Sequence, residues 1–353
     1  MKRSFSCRVR VLLIGLFAAI VAGCQPTPSA PFSLSEATQK LKPEMQEKVQ
    51  QYLREQTGSP ELIKLIGHPE AKATRLVAGY QIYSRRCVQC HGVDGDGNGP
   101  SAKSLFPRPR DYRKGVFKFT STPYGIKPTR GDLVDTIRRG ISGTSMPSFH
   151  LLPDADVQAV VDYVIALSQR GELEGQMAGD FETEEAFDPD LAKESVDLVR
   201  TRWADASAQV YLPKTPQPVF TSEHVAAGKV AFLGKGCSKC HGEDGRGLTP
   251  ENLRGDRLDA WGNSIRAADL SSGMLRGGPQ PMLIYRRIYG GINGTPMPAF
   301  EKEKSFAEEP EAFWNLVAYV LHVSERRRAG DVPPAGNITP YVMTSAAKPV
   351  GAK

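Results

Sequence analysis

Eight side chains in this sequence have the types and spacing to do chemistry together. Cys87-Val-Gln-Cys90-His91 and Cys237-Ser-Lys-Cys240-His241 are two copies of one pentapeptide, 150 residues apart. In Cys-x-x-Cys-His, two thiols can add across the two vinyl groups of a haem while the adjacent imidazole binds the iron. A redox dithiol followed by an unrelated histidine would give the same letters once. Here both copies are followed by Gly and a run of small and acidic residues, and later by Gly143-Thr-Ser-Met146-Pro147 or Gly294-Thr-Pro-Met297-Pro298. Met146 lies 55 residues beyond His91 and Met297 lies 56 beyond His241, enough chain to wrap a porphyrin and reach its far face. A thioether there stabilises ferrous iron and raises the potential. The expectation is two covalently attached haem c groups, with iron ligands His91 and Met146 in one and His241 and Met297 in the other. His150 competes locally with Met146, and Met274 and Met282 are reserve candidates in the second half.

Helices must position these groups. A helical pattern over about 71–86 leads into the first motif, with Gly79 and Tyr83 one turn apart on one face. After Pro153-Asp154, the apolar residues Val157, Val160, Val161, Val164 and Leu167 recur at helical spacing, with Asp154 as the expected cap. The second half repeats the plan: Gly228 and Phe232 precede its motif, and Glu311 to Leu321 form its closing helix, where Tyr319 matches Tyr163. First and last helices crossing beside a Cys-x-x-Cys-His resemble the class I cytochromes c, here in tandem over about 200 of the 353 residues. The resemblance implies an all-α fold of two haem domains. It also implies that each ligand imidazole donates its other ring N–H to a nearby proline carbonyl, that of Pro100 and, at the same offset, Pro250.

The remaining sequence divides around these domains. Residues 1–23 have a basic start and an apolar run too short for a confident membrane span, and they end in Val21-Ala22-Gly23-Cys24. This resembles a bacterial lipoprotein processing site, which makes Cys24 the acylated first residue of the processed chain. A tether follows over 24–35, then a helical extension over 36–69 with Leu41, Met45, Val49 and Leu53 in steps of four. The first haem domain is expected over 70–170 and the second over 221–327. Between them, 171–220 carries a break at Gly171, Gly175 and Gly179, then an amphipathic helix from about 190 to 210 capped by Asp188 or Asp190. Residues 328–353 read as a disordered tail.

Charge is unevenly placed. The chain carries +6, falling to +2 without the leader, and two haems add four carboxylates. That balance excludes a general nucleic-acid binder. Residues 100–140 hold ten bases against three acids, available for haem carboxylates or a docking surface, with Pro107 to Tyr112 the segment most expected to touch a haem carboxylate. Residues 171–210 hold eleven acids against three bases, so the acidic helix is expected to lie on the first domain and set the haem–haem distance.

With both axial positions filled by protein, the expected function is single-electron transfer rather than catalysis. The resemblance implies redox protein partners: a membrane quinol-oxidising complex, a molybdenum oxidoreductase or a terminal oxidase. The leader places the chain on the extracytoplasmic, periplasmic side, held to a bacterial membrane by its lipid. The alternative is a di-haem cytochrome c peroxidase-like enzyme reducing hydrogen peroxide, which needs one haem with a displaceable sixth position.

Overall fold

A computed structural model describes residues 31–67, 73–326 and 329–330. Cys24, the leader, His68 near the end of the helical extension and the expected tail lie outside the described residues. Among the described residues the chain is helical; its extended pairing is a single bridge between Leu258 and Ser264. None of the described helices is long and apolar enough to cross a membrane.

The first domain is framed by α3 (Ala73–Arg86) and α6 (Asp154–Asp180), with the one-turn α4 (Val88–His91) carrying the first motif and α5 (Arg130–Arg139) between them. The α3–α6 crossing depends on Gly79. A methyl group there would stand 2.3 Å from the carbonyl oxygen of Ala159, so only glycine allows the approach. One turn on, Tyr83 packs on Tyr163 with ring centroids 5.1 Å apart and donates to the Gly92 carbonyl at 2.9 Å. The second domain repeats this with α8 (Ser222–Gly234), α9 (Ser238–His241), α10 (Pro250–Arg254), α11 (Pro281–Tyr289), α12 (Lys304–Ala307) and α13 (Ala312–Arg326). Gly228 meets the Asn315 carbonyl, and Phe232 packs on Tyr319 at 5.1 Å. Thr129 and Asp132 close the start of α5, as Thr221 and His224 close that of α8.

Preceding the first domain are α1 (Glu36–Gln39) and α2 (Pro43–Thr57); following it is α7 (Pro189–Ala204). Leu41, Met45, Val49 and Leu53 are all buried, against Leu173, Met177, Phe181, Ala192 and Val199 of α6, its end and α7. The break expected at Gly171, Gly175 and Gly179 is absent. Helix α6 runs through all three, because its last three turns are held by α2 and α7, and that apolar burial outweighs the helix propensity lost at glycine. Gly171 instead admits the backbone of Arg113, with a methyl position 2.3 Å from its Cα. Asp154 is a first-turn residue paired with Arg138 rather than a cap, whereas Asp188 does cap α7, accepting from Asp190 N–H at 2.8 Å.

The N-terminal extension is tied down by a polar core. Buried Arg170 pairs with Glu174 at 2.9 Å, and Glu174 accepts from the Ser35 N–H at 2.6 Å and the Thr38 hydroxyl at 3.0 Å. Satisfied on every side, the pair fixes the register of the segment on α6.

Candidate haem sites

The first motif lies on one wall of a cleft whose other walls are set by α5, α6 and the loop after α5. Cys87, Cys90 and His91 line it with Leu133, Ile137, Phe149, Val160 and Val164, and Met146 reaches the same space. The interior is apolar, and the charged groups at its edge are Arg86, Arg108, Arg110, Lys118 and Arg276, without a carboxylate among them. An apolar planar ring bearing carboxylates at one edge fits this lining. Burial pushes the His91 imidazole down to about 4, so it is neutral at neutral pH as an iron ligand must be. The same cause lowers His241. Burial pushes the Cys87 thiol up to about 12 and Cys237 up to about 11, opposite to the depressed values of a reactive redox dithiol.

Behind each imidazole the structure corrects the expected acceptor. His91 Nδ1 meets the carbonyl of Arg110 at 3.1 Å, and His241 Nδ1 meets that of Ala268 at 3.0 Å. Pro100 and Pro250 are exposed, the latter opening α10 after the cap Thr249. The acceptors come from a later non-helical segment that runs close against the glycine turn after each motif. Gly97 and Gly247 permit this: both have positive φ, and a methyl on Gly97 would stand 2.7 Å from the Pro109 oxygen. The two segments are pinned identically, Tyr112 N–H to Gly95 O at 2.7 Å and Leu270 N–H to Gly245 O at 2.8 Å. Tyr112 also stacks on the His91 ring at 4.7 Å and 21°, and Leu270 holds the corresponding chain position in the second domain.

The methionine loops agree bond for bond. Ile141 N–H donates to the Met146 carbonyl at 3.1 Å, and the Thr144 hydroxyl donates to the Ile141 carbonyl at 2.8 Å while accepting from Met146 N–H at 3.2 Å. In the second copy the corresponding distances are 3.2, 2.8 and 3.2 Å, made by Ile292, Thr295 and Met297. Threonine is thus the residue that turns the chain to present the methionine. His150 is exposed and bonded to Ser148 at 2.9 Å, away from the cleft. Met274 lies against Gly143 of the other domain, and Met282 packs on the second core.

The basic stretch is largely spent on the rest of the chain. Lys127 pairs with Glu172, Arg138 with Asp154 and Arg130 with Asp162, and Arg113 pairs with Asp111 at 3.0 Å. Lys118 reaches Asp259 of the second domain at 3.3 Å, and Lys114 reaches the Ala260 carbonyl at 2.7 Å. The Arg110 guanidinium lies 3.5 Å from the ring centre of Trp261, whose indole N–H donates to the Asp111 carbonyl at 3.2 Å. Arg287 donates to Thr120 O at 2.5 Å, and Asn293 accepts from Gly125 N–H at 2.9 Å. The two domains therefore meet along the edge of the first cleft, a contact that sequence spacing could not reveal.

Comparison with known proteins agrees with this geometry. The family model described as cytochrome c oxidase, cbb3-type, subunit III matches residues 74–164, and the cytochrome c model matches 225–324. None of the curated proteins matches. Among solved structures, a chain of the Kuenenia stuttgartiensis reducing HAO-like protein complex is similar, with 30% identity and a TM-score of 0.53 over 70% of this chain and 95% of that one. Two cytochrome c domains in tandem, each with its own attachment motif, place this chain in the family of di-haem class I cytochromes c, with two covalently bound c-type haems.

Proposed function

We propose that the protein is an electron carrier in which His91 and Met146 hold one iron and His241 and Met297 the other. The observation that carries this is the matched pair of methionine loops, each turned by a threonine and closed by the same hydrogen bonds. When bound, each haem supplies a one-electron ferric/ferrous couple. The chain's contribution is to fix the imidazoles through the Arg110 and Ala268 carbonyls and to present Met146 and Met297, which would hold the irons with them, while apolar walls would keep water from the ring in the first cleft. A methionine presented alongside the histidine at each site would leave no position open for peroxide, which supports electron transfer over peroxide reduction.

The carrier works between extracytoplasmic or membrane redox proteins: a quinol-oxidising complex, a molybdenum oxidoreductase or a terminal oxidase. The similarity to a chain of a reducing HAO-like protein complex supports a role as the electron-transfer subunit of such an assembly. Its location is the periplasmic side of a bacterial membrane, with Cys24 as the lipid attachment point. The test is spectroscopic. Both ferric haems should show the weak far-red band of methionine sulfur on iron, and Met146→Ala and Met297→Ala should each remove half of it. A five-coordinate haem after partial reduction, with peroxide turnover, would overturn the assignment.

A further inference from the structure

The first cleft is lined by five cations, and one of them is foreign to its domain. Arg276 comes from the second domain, in the segment after Leu270–Ser272. Because Leu270 and Tyr112 are pinned by the same hydrogen bond, Arg276 is the structural counterpart of Lys118, six residues further on in each segment. The two counterparts have different fates. Lys118 shares Asp259 with Arg110, at 3.3 and 4.0 Å, whereas Arg276 pairs with no carboxylate among the described residues. Its segment is seated on both walls of the first site. A methyl on Gly143, in the Met146 loop, would be 3.4 Å from the Met274 sulfur, and one on Gly277 would be 3.3 Å from the Phe119 ring.

A half-buried guanidinium without an anion is costly, and so is a cluster of cations sharing a single carboxylate. Burial lowers Arg276, and burial with the neighbouring cations Arg110 and Arg276 brings Lys118 down to about 8 despite Asp259. What the cleft edge lacks is negative charge, and a c-type haem brings two carboxylates on an otherwise apolar ring. We propose that Arg276, carried by the second domain, is the counterion of a carboxylate on the first domain's haem, so that the first haem site is completed by the second domain. The relation is one-sided, since Lys118 is already committed to Asp259. It rests on the His91/Met146 cleft being a haem site, and it adds a residue that ties that haem's potential to domain contact.

The test is spectroelectrochemical titration of the full di-haem protein, comparing wild type with Arg276→Gln and Arg276→Lys. Met146→His and Met297→His serve to assign the two midpoints. Losing a cation beside the haem favours ferric iron. In Arg276→Gln the first-domain midpoint should fall by about three- to tenfold in the oxidised-to-reduced ratio, at most about 59 mV for one electron. The second midpoint should stay in place, and Arg276→Lys should restore most of the shift. An unmoved first midpoint with both haems loaded, a shift confined to the second haem, or failure of lysine to restore it would overturn the proposal. If Arg276→Gln does not load haem, Arg276→Lys decides: two haems with a near-native midpoint support the counterion role, and loss of haem there too overturns it. A wild-type chain carrying fewer than two haems by mass would instead mark failure of the underlying haem reading.

Discussion

The residues proposed to hold iron and those that hold them in place differ in how visibly they are written. Cysteine, histidine and methionine are needed for their own atoms, so Cys87, Cys90, His91 and Met146 stand out by type and spacing. The imidazole's partner is a main-chain carbonyl, which any residue can provide, so Arg110 and Ala268 carry no mark of the role. The repeated threonine before each methionine was visible, and its hydrogen bonds give it a purpose. Glycine is the other case in which side-chain identity is decisive. A methyl on Gly228 would stand 1.9 Å from the Asn315 carbonyl oxygen, well inside contact distance. Gly228→Ala should therefore force α8 and α13 apart and destabilise the second domain by about 1–3 kcal/mol. The check is thermal unfolding followed by that domain's haem absorbance, with the first domain's transition unchanged.

At the scale of elements, apolar periodicity located every framing helix but not all of their ends. The steps of four from Leu41 to Leu53 were right in every member because each faces the same groove of α6 and α7. Helix α6 outran its expected end since its last turns are stabilised by partners distant in sequence. The acidic helix α7 does lie on the first domain, through Ala192, Val199 and Trp203, and Trp203 donates to Glu172 at 2.5 Å. The haem domains are held together elsewhere, by the loop carrying Trp261. That indole is gripped by the Arg110 guanidinium and the Asp111 carbonyl, and its ring edge fills the space beside Gly294. Trp261→Ala should remove about 2 kcal/mol of contact between domains. Scattering from the holoprotein should then show a larger radius of gyration than wild type, with both haems retained. An unchanged radius would place the grip in Arg287 and Asn293 instead.

As a whole molecule the chain is two copies of one domain, clamped edge to edge with a helical brace on the first. The spacer after α7 belongs to both: Tyr211 N–H donates to the Ser121 carbonyl at 2.8 Å, and its ring packs on Tyr289 at 4.7 Å. Most of the excess positive charge of residues 100–140 is neutralised in the first domain or at this seam, leaving little of it as an open docking face. Attachment to a membrane, as proposed, depends on Cys24. Cys24→Ser should shift the mature protein from the membrane fraction to the soluble fraction with two haems still attached. Retention on the membrane after salt and carbonate washing would point to an uncleaved leader or a firmly bound partner.

The sequence by itself determined the cofactor, its number and the all-α frame, because covalent attachment and helix crossing demand particular residues at short, fixed intervals. Only the tertiary structure decided which carbonyls seat the imidazoles, how far α6 extends, and that Asp259, Trp261 and Arg276 of one domain stand at the edge of the other's cleft. Those features arise from contacts between segments about 20 to 170 residues apart, where any of several side chains could satisfy the same packing and charge, so no local spacing encodes them.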